Sequence, residues 1–68
     1  MSHVYKMTEI VGTSSKSFSD AVQEAVKRAS KTLRNVSWFE VVEQRGAVRD
    51  GQVSEFQATV KIGFRLDD

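Results

Sequence analysis

Hydrophobic and polar residues alternate along the C-terminal third of this chain. In a β-strand, such a pattern puts the apolar residues on one face and the polar residues on the other. The apolar series is Phe56, Ala58, Val60, Ile62, Phe64 and Leu66, and the opposite series is Gln57, Thr59, Lys61, Gly63 and Arg65. The pattern therefore predicts a long strand that turns one face towards the core.

A second apolar run, 38–42, precedes this strand, and the dipeptide Asp50-Gly51 lies between the two. This dipeptide is typical of a type I′ hairpin turn, in which both central residues need a positive φ. With Arg49 opposite Gln52, the register follows by counting outward from the turn. The predicted pairs are Trp38 with Gly63, Phe39 with Ile62 and Val41 with Val60.

Trp38 is the lone tryptophan of the chain, and alternation turns it away from Phe39 and Val41. We therefore expect Phe39 and Val41 on the core face and Trp38 on the opposite face. Because Gly63 has no side chain, we expect an open slot beside the indole. Gln57 lies further along on that same face.

The N-terminal half predicts one strand and one helix. The strand covers 4–11 and ends at 12–15, Ser17 is the expected helix N-cap with Asp20 at the third helical position, and Asn35 is the expected left-handed C-cap. Apolar residues follow at helical spacing: Phe18, Ala21, Val22, Ala25, Ala29 and Leu33. The small alanines allow a sheet to wrap closely around the helix.

These elements predict an α+β protomer of order β-α-β-β, in one domain over 1–68. We expect the first strand to join the last one, which gives a three-stranded antiparallel sheet wrapped around one helix. The helix covers one face of the sheet and leaves the face of Trp38 open. Such a face usually meets a partner subunit or a ligand.

Composition narrows the functional classes. The 68 residues contain no cysteine and one histidine, His3, so we expect neither a disulfide framework nor a metal site. The formal net charge of +1 argues against non-specific binding of nucleic acid. No nucleophile–base pair or Gly-rich phosphate loop is evident, so we do not expect an enzyme. No apolar segment suits a leader or a membrane span, and we expect a cytoplasmic protein without a membrane partner.

Trp38 and Gln57 are the candidate binding residues on the open face. An outward indole suits stacking on a planar heteroaromatic ring, which contributes roughly 1 kcal/mol beyond burial. The amide of Gln57 both donates and accepts, as the edge of a pyrimidinedione requires. The residues alone leave two alternatives open: Trp38 as a plain interface anchor, and Gln57 as a solvated polar residue.

Arg45 and Arg65 are candidate partners for a phosphate. Arg65 shares the face of Gln57. Arg45 has the parity of Phe39 and Val41, so it reaches that face only if the strand bulges, for which Gly46 offers a reason. A solvated arginine is the alternative for Arg45.

In this order and spacing, a set of short segments resembles dodecin, a family of small flavin-binding proteins. The resemblance covers nearly the whole chain. Its segments are Glu9-Ile10-Val11-Gly12-Thr13-Ser14, Lys31-Thr32-Leu33-Arg34, Trp38-Phe39-Glu40-Val41, Arg45-Gly46, Phe56-Gln57 and Gly63-Phe64-Arg65-Leu66.

The resemblance implies a hollow homododecamer that binds flavins in antiparallel pairs across two-fold axes. Trp38 would stack on the isoalloxazine and Gln57 would bind its pyrimidine edge. Arg45 and Arg65 match the bacterial type of the family, which favours FMN, whereas the archaeal type favours riboflavin. Coenzyme A is a further family ligand, for which no residue can be assigned here.

The resemblance further implies flavin storage and sequestration, in which the stacked tryptophan quenches the excited flavin. Within the flavin interpretation, a flavoenzyme is the closest competitor, and a ring sealed on both faces argues against it. Two other classes stay open at this point. One is a ligand-free assembly protein that uses the Trp38 face as a subunit interface. The weaker one is a small nucleic-acid-binding module that uses Trp38, Lys61 and Arg65.

Overall fold

The chain folds as β-α-β-β, as the sequence predicts. A computed structural model describes residues 2–67, so Met1 and Asp68, the ends of the expected domain, lie outside it. The elements are β1 (Tyr5–Ser14), α1 (Phe18–Thr32), β2 (Val36–Arg49) and β3 (Gln52–Arg65). The three strands form one antiparallel sheet of order β1-β3-β2. This confirms the predicted position of the first strand beside the last.

The turn at Asp50-Gly51 fixes the pairing of β2 with β3. Both residues have positive φ, 53° and 76°, as a type I′ turn requires. Arg49 pairs with Gln52, and the three predicted pairs are present. The register counted from the turn is therefore confirmed at both ends of the hairpin.

Helix α1 begins at the expected cap. The backbone N–H of Asp20 donates to Ser17 Oγ at 2.9 Å. The carboxylate of Asp20 does not return to Ser17 but accepts from Ser14 Oγ at 2.7 Å, and Ser14 Oγ accepts from the N–H of Lys16 at 2.9 Å. Because Ser14 anchors this turn, β1 continues through residues 12–14, three residues past the predicted end at Val11.

The end of α1 differs from the prediction. Asn35 has the expected left-handed φ of 62°, but the helix cap is Leu33, in an extended conformation with its N–H bonded to Ala29 O at 2.9 Å. Asn35 O accepts from the N–H of Arg65 at 3.1 Å, and Asn35 Nδ2 donates to Arg65 O at 3.2 Å. The left-handed residue thus directs the chain into the sheet next to the end of β3.

The core lies between α1 and the middle of β3. Its buried residues are Ala21, Ala25, Ala29, Ala58, Val60 and Ile62. Gly12 brings β1 against the helix, because a Cβ there would overlap Ala21 O and approach Ala25 Cβ to 2.8 Å. The predicted close wrapping of the sheet around a small-residue helix face is therefore confirmed.

Phe39 and Val41 are not part of this core. They pair with Ile62 and Val60 as predicted, yet they remain 51% and 41% exposed. A helix of 15 residues is about 22 Å long, whereas 14 strand residues extend about 46 Å. The helix therefore leaves β2 and the hairpin tip uncovered. The predicted face of Phe39 and Val41 is confirmed by their pairing with Ile62 and Val60, but the core does not extend to them.

Candidate functional site

Trp38 lies flat on Gly63, on the face of the sheet away from α1. A Cβ at Gly63 would be closest to Cε2 of the indole and nearly equidistant from Cζ2 (2.5 Å) and Cδ2 (2.6 Å). Since both of these atoms are bonded to Cε2, the Cβ would point at the ring face. One face of the indole thus covers the glycine, and the other points away from the sheet.

This arrangement corrects one expectation. The slot above Gly63 is not open beside the indole, because the indole itself fills it. Trp38 remains 40% exposed, and Tyr5 of β1 packs at its side with ring centroids 4.9 Å apart and planes inclined by 51°. The two aromatic rings form a platform on the outer face.

Arg65 is the cationic residue at this end of the sheet. It lies two positions after Gly63 on β3, on the same face, and its neighbour on β1 is Tyr5. Its side chain is partly buried. Within residues 2–67, no carboxylate forms a salt bridge with it. Arg65 therefore belongs with Trp38 and Tyr5.

Gln57 and Arg45 form a second cluster further along the same face. Arg45 Nε donates to Gln57 Oε1 at 2.9 Å, and Gln57 Nε2 donates to Glu55 Oε1 at 2.8 Å. Arg45 Nη1 donates to Thr59 Oγ1 at 3.1 Å and forms a salt bridge with Glu43. Because Arg45 is 42% exposed, this salt bridge contributes only about 0–1 kcal/mol of stability.

A β-bulge brings Arg45 onto this face. The pairing with β3 shifts by one residue between Val41 and Glu43, so that Arg45 lies opposite Gln57. A second shift, between Ala47 and Val48, restores the register before the turn. The sequence predicted that Arg45 needs a bulge, but it pointed to Gly46, whereas the bulge lies at Val42.

The two clusters are far apart within one chain. Gln57 lies six positions before Gly63 on β3, which corresponds to about 20 Å. A flavin ring system is shorter than this distance. A single protomer therefore cannot present Trp38 and Gln57 to the same ring, and any site that uses both must combine residues from different protomers.

The sequence interpretation missed Tyr5, Glu43, Glu55 and Thr59. The two glutamates lie two residues before Arg45 and Gln57, and period-two spacing puts each pair on one strand face. That spacing is visible in the sequence. Thr59 becomes a neighbour of Arg45 only through the register of β2 with β3, and Tyr5 becomes a neighbour of Arg65 only through the register of β1 with β3. No local sequence pattern marks either residue.

Charge on the outer face works against a role of Lys61 in binding the phosphates of a nucleic acid. Lys61 is flanked in the sheet by Glu9 of β1 and Glu40 of β2. Among residues 2–67, no group of three or more histidine, cysteine, aspartate or glutamate side chains has a metal-binding arrangement. The helix of the described chain is not long and apolar enough to cross a membrane.

Comparisons with known proteins agree on one family. A family model for dodecins matches residues 4–67. The curated dodecin of Thermus thermophilus is 47% identical over 68 residues, which is all of this chain and 99% of that protein.

Two solved structures are similar along the whole fold. The dodecin of Streptomyces davaonensis has a TM-score of 0.96 at 50% identity, with both chains covered completely. The dodecin of Streptomyces coelicolor has a TM-score of 0.94 at 52% identity, with 97% of this chain and 94% of that chain covered.

Proposed function

This chain belongs to the dodecin family, and from that premise we propose that it binds, stores and sequesters FMN as a homododecamer. The observation that carries the proposal is the indole of Trp38, which lies flat on Gly63 with its other face directed outward. A rigid aromatic platform on an open sheet face is suited to stacking on a planar ring.

Four residues of the two clusters have a part in the proposed site. Trp38 stacks on the isoalloxazine, Gln57 of another protomer binds the pyrimidine edge, and Arg65 binds the phosphate of FMN. The charge of Arg65 favours FMN over riboflavin, because a phosphate near an interface needs a cationic partner. Arg45 belongs to the site through its bond to Gln57.

Storage, and not catalysis, is the proposed activity. Bound FMN would supply a light-absorbing ring, and Trp38, stacked against it, would quench its excited state. No group of the two clusters forms a nucleophile–base pair. Coenzyme A stays a candidate for a separate site, and we assign no residue to it.

The assembly has support in the surface of the chain. The radius of gyration is 14.0 Å, compared with about 11 Å for a compact chain of 68 residues. Large apolar side chains of the hairpin are exposed, among them Phe39, Val41, Val48 and Val53. A second copy of the chain is the proposed cover for them.

Titration of apo-protein into FMN and, separately, into riboflavin tests the proposal through flavin fluorescence. We expect strong quenching that saturates near one flavin per chain, with FMN bound more tightly. The Trp38→Ala variant should lose both quenching and most of the affinity. If wild-type protein quenches neither flavin, the function is that of an assembly protein without this ligand.

A further inference from the structure

The polar cluster around Gln57 fixes the direction of its amide. Arginine carries only donors and an ionised carboxylate only acceptors. Arg45 therefore requires Oε1 of Gln57 on its side, and Glu55 requires Nε2 on the other, as the two bonds of 2.9 and 2.8 Å show. In the reversed amide, Nε2 would face the donor of Arg45 and Oε1 would face the carboxylate of Glu55, so that neither hydrogen bond could form.

The fixed amide keeps one donor and one acceptor for a ligand. One N–H of Nε2 is bound to Glu55 and one lone pair of Oε1 to Arg45, so the second of each stays available. Their order along the sheet is set by Arg45 and Glu55. A ring edge that presents an N–H beside a carbonyl then meets a prearranged partner.

Three of the five N–H donors of Arg45 are bound to neighbouring side chains. Nε donates to Gln57, Nη1 donates to Thr59 and Glu43, and the carboxylate of Glu43 balances the charge. Arg65, about 26 Å along β3 from Gln57, pairs with no carboxylate of residues 2–67. The two arginines thus have different surroundings on the same face.

We infer that Arg45 is a positioning residue, held by Glu43, that orients the Gln57 amide for the flavin ring edge, and that selection for the phosphate falls to Arg65. This inference rests on the proposed flavin site. It separates two arginines whose sequence context suggests the same role.

Three ligands distinguish these roles in a fluorescence titration: FMN, riboflavin, and lumiflavin, which carries the ring without a ribityl chain. Arg45→Met removes the donors and keeps most of the aliphatic stem. We expect it to lower the affinity for all three ligands by a similar factor of about ten, the effect of one lost oriented hydrogen bond. Arg49→Met, at an exposed position of the same strand, is the matched control and should change none of them.

Loss of FMN affinity alone in Arg45→Met would make Arg45 a phosphate ligand and overturn the inference. Arg45→Lys sharpens this contrast. Lysine retains the charge but not the planar fork of donors. The inference therefore predicts that Arg45→Lys has a lower affinity for lumiflavin. If Arg45 instead bound the phosphate, Arg45→Lys would retain most of the affinity for FMN.

Two further variants test the connection to Gln57 and Glu43. In a double-mutant cycle, Gln57→Ala with Arg45→Met should bind lumiflavin as weakly as Gln57→Ala alone. If the two losses of affinity add, the inference is contradicted. Glu43→Gln should weaken lumiflavin about two- to threefold, because Arg45 is held less firmly. Tighter FMN binding by this variant would instead indicate that Glu43 competes with a phosphate for Arg45.

A ligand-free measurement keeps the inference testable if wild-type protein binds no flavin. The side-chain amide protons of Gln57, followed by NMR, should have chemical shifts unlike those of a solvated glutamine in the wild type, and should exchange slowly with solvent. In Arg45→Met they should move towards the values of a solvated glutamine. Unchanged signals would refute the positioning role, independently of the proposed function.

Discussion

Gly63 determines where the indole of Trp38 lies. The ring occupies the volume that any side chain at position 63 would take. Gly63→Ala should therefore push the indole away from the sheet and lower the affinity for FMN at least tenfold, since the stacking plane is lost. Titration with FMN measures the affinity, and near-ultraviolet circular dichroism reports the orientation of the indole.

A control for this substitution is available at another glycine. Gly51→Ala places a methyl group where no atom lies within 4 Å, at a φ of +76°. It should lower stability by about 1–2 kcal/mol through the backbone alone, without a change in FMN affinity. Unaltered FMN binding by Gly63→Ala would mean that the stacked position of Trp38 is not needed.

Arg65 is the residue whose charge should separate FMN from riboflavin. Arg65→Met should lower the affinity for FMN by about ten- to a hundredfold, the effect of a lost charge-assisted hydrogen bond. The affinity for riboflavin should be unchanged. Paired titrations at two salt concentrations provide the check. The affinity of wild-type protein for FMN should fall with added salt, and that of the variant should not. Equal losses for both flavins would rule out phosphate recognition by Arg65.

At the scale of elements, the turn between β1 and α1 depends on Ser17. Its hydroxyl satisfies the N–H of Asp20, a donor that no helical carbonyl can reach. Ser17→Ala should lower the free energy of unfolding by about 1 kcal/mol. Urea denaturation at one fixed protein concentration measures it, because subunit association also contributes to stability.

Ser30→Ala is the matched control for Ser17. The hydroxyl of Ser30 is exposed and donates to the carbonyl of Val26 at 2.8 Å, within the helix. Because alanine has the higher helix propensity, this change should be neutral or slightly stabilising. A similar loss in both variants would argue against a specific capping role of Ser17.

The order and register of the elements follow from the sequence because each has a local cause. Asp50-Gly51 favours a type I′ turn, and Ser17 is a favourable N-cap that marks the start of the helix. The bulge at Val42 has no such cause, since nothing in Val41-Val42-Glu43 departs from an ordinary strand. The second shift cancels it, so counting from the turn gives the right pairs at the far end and the wrong ones near Arg45.

Burial follows from the pattern less well than pairing does. Alternation assigns Phe39 and Val41 to the helix side of the sheet, and they lie there. Whether a residue on that side is covered depends on the length of α1 relative to the hairpin. The sequence likewise puts Trp38 and Gln57 on one face, but their separation along β3 shows in the structure that one chain holds only parts of the proposed site.

For the whole molecule, the uncovered side of β2 offers a test of assembly. Phe39→Glu would place an unpaired charge in an apolar subunit contact, so we expect the assembly to dissociate, with partial unfolding of the chains. Sedimentation velocity should give twelve times the 7.6 kDa of one chain for the wild type and much smaller species for the variant.

Gln23→Glu adds the same charge to an exposed position of α1 and should keep the wild-type sedimentation. Should Phe39→Glu sediment like the wild type, Phe39 would face solvent in the assembly as it does in the single chain.

The distance between Trp38 and Gln57 ties occupancy to mass action. If each ring is held by residues of different chains, dilution that separates the subunits must also release FMN. By the same reciprocity, FMN must lower the protein concentration at which the assembly forms and raise its melting temperature. A flavin store built in this way would empty when its own synthesis falls, and the cell would regulate free flavin through the abundance of the protein.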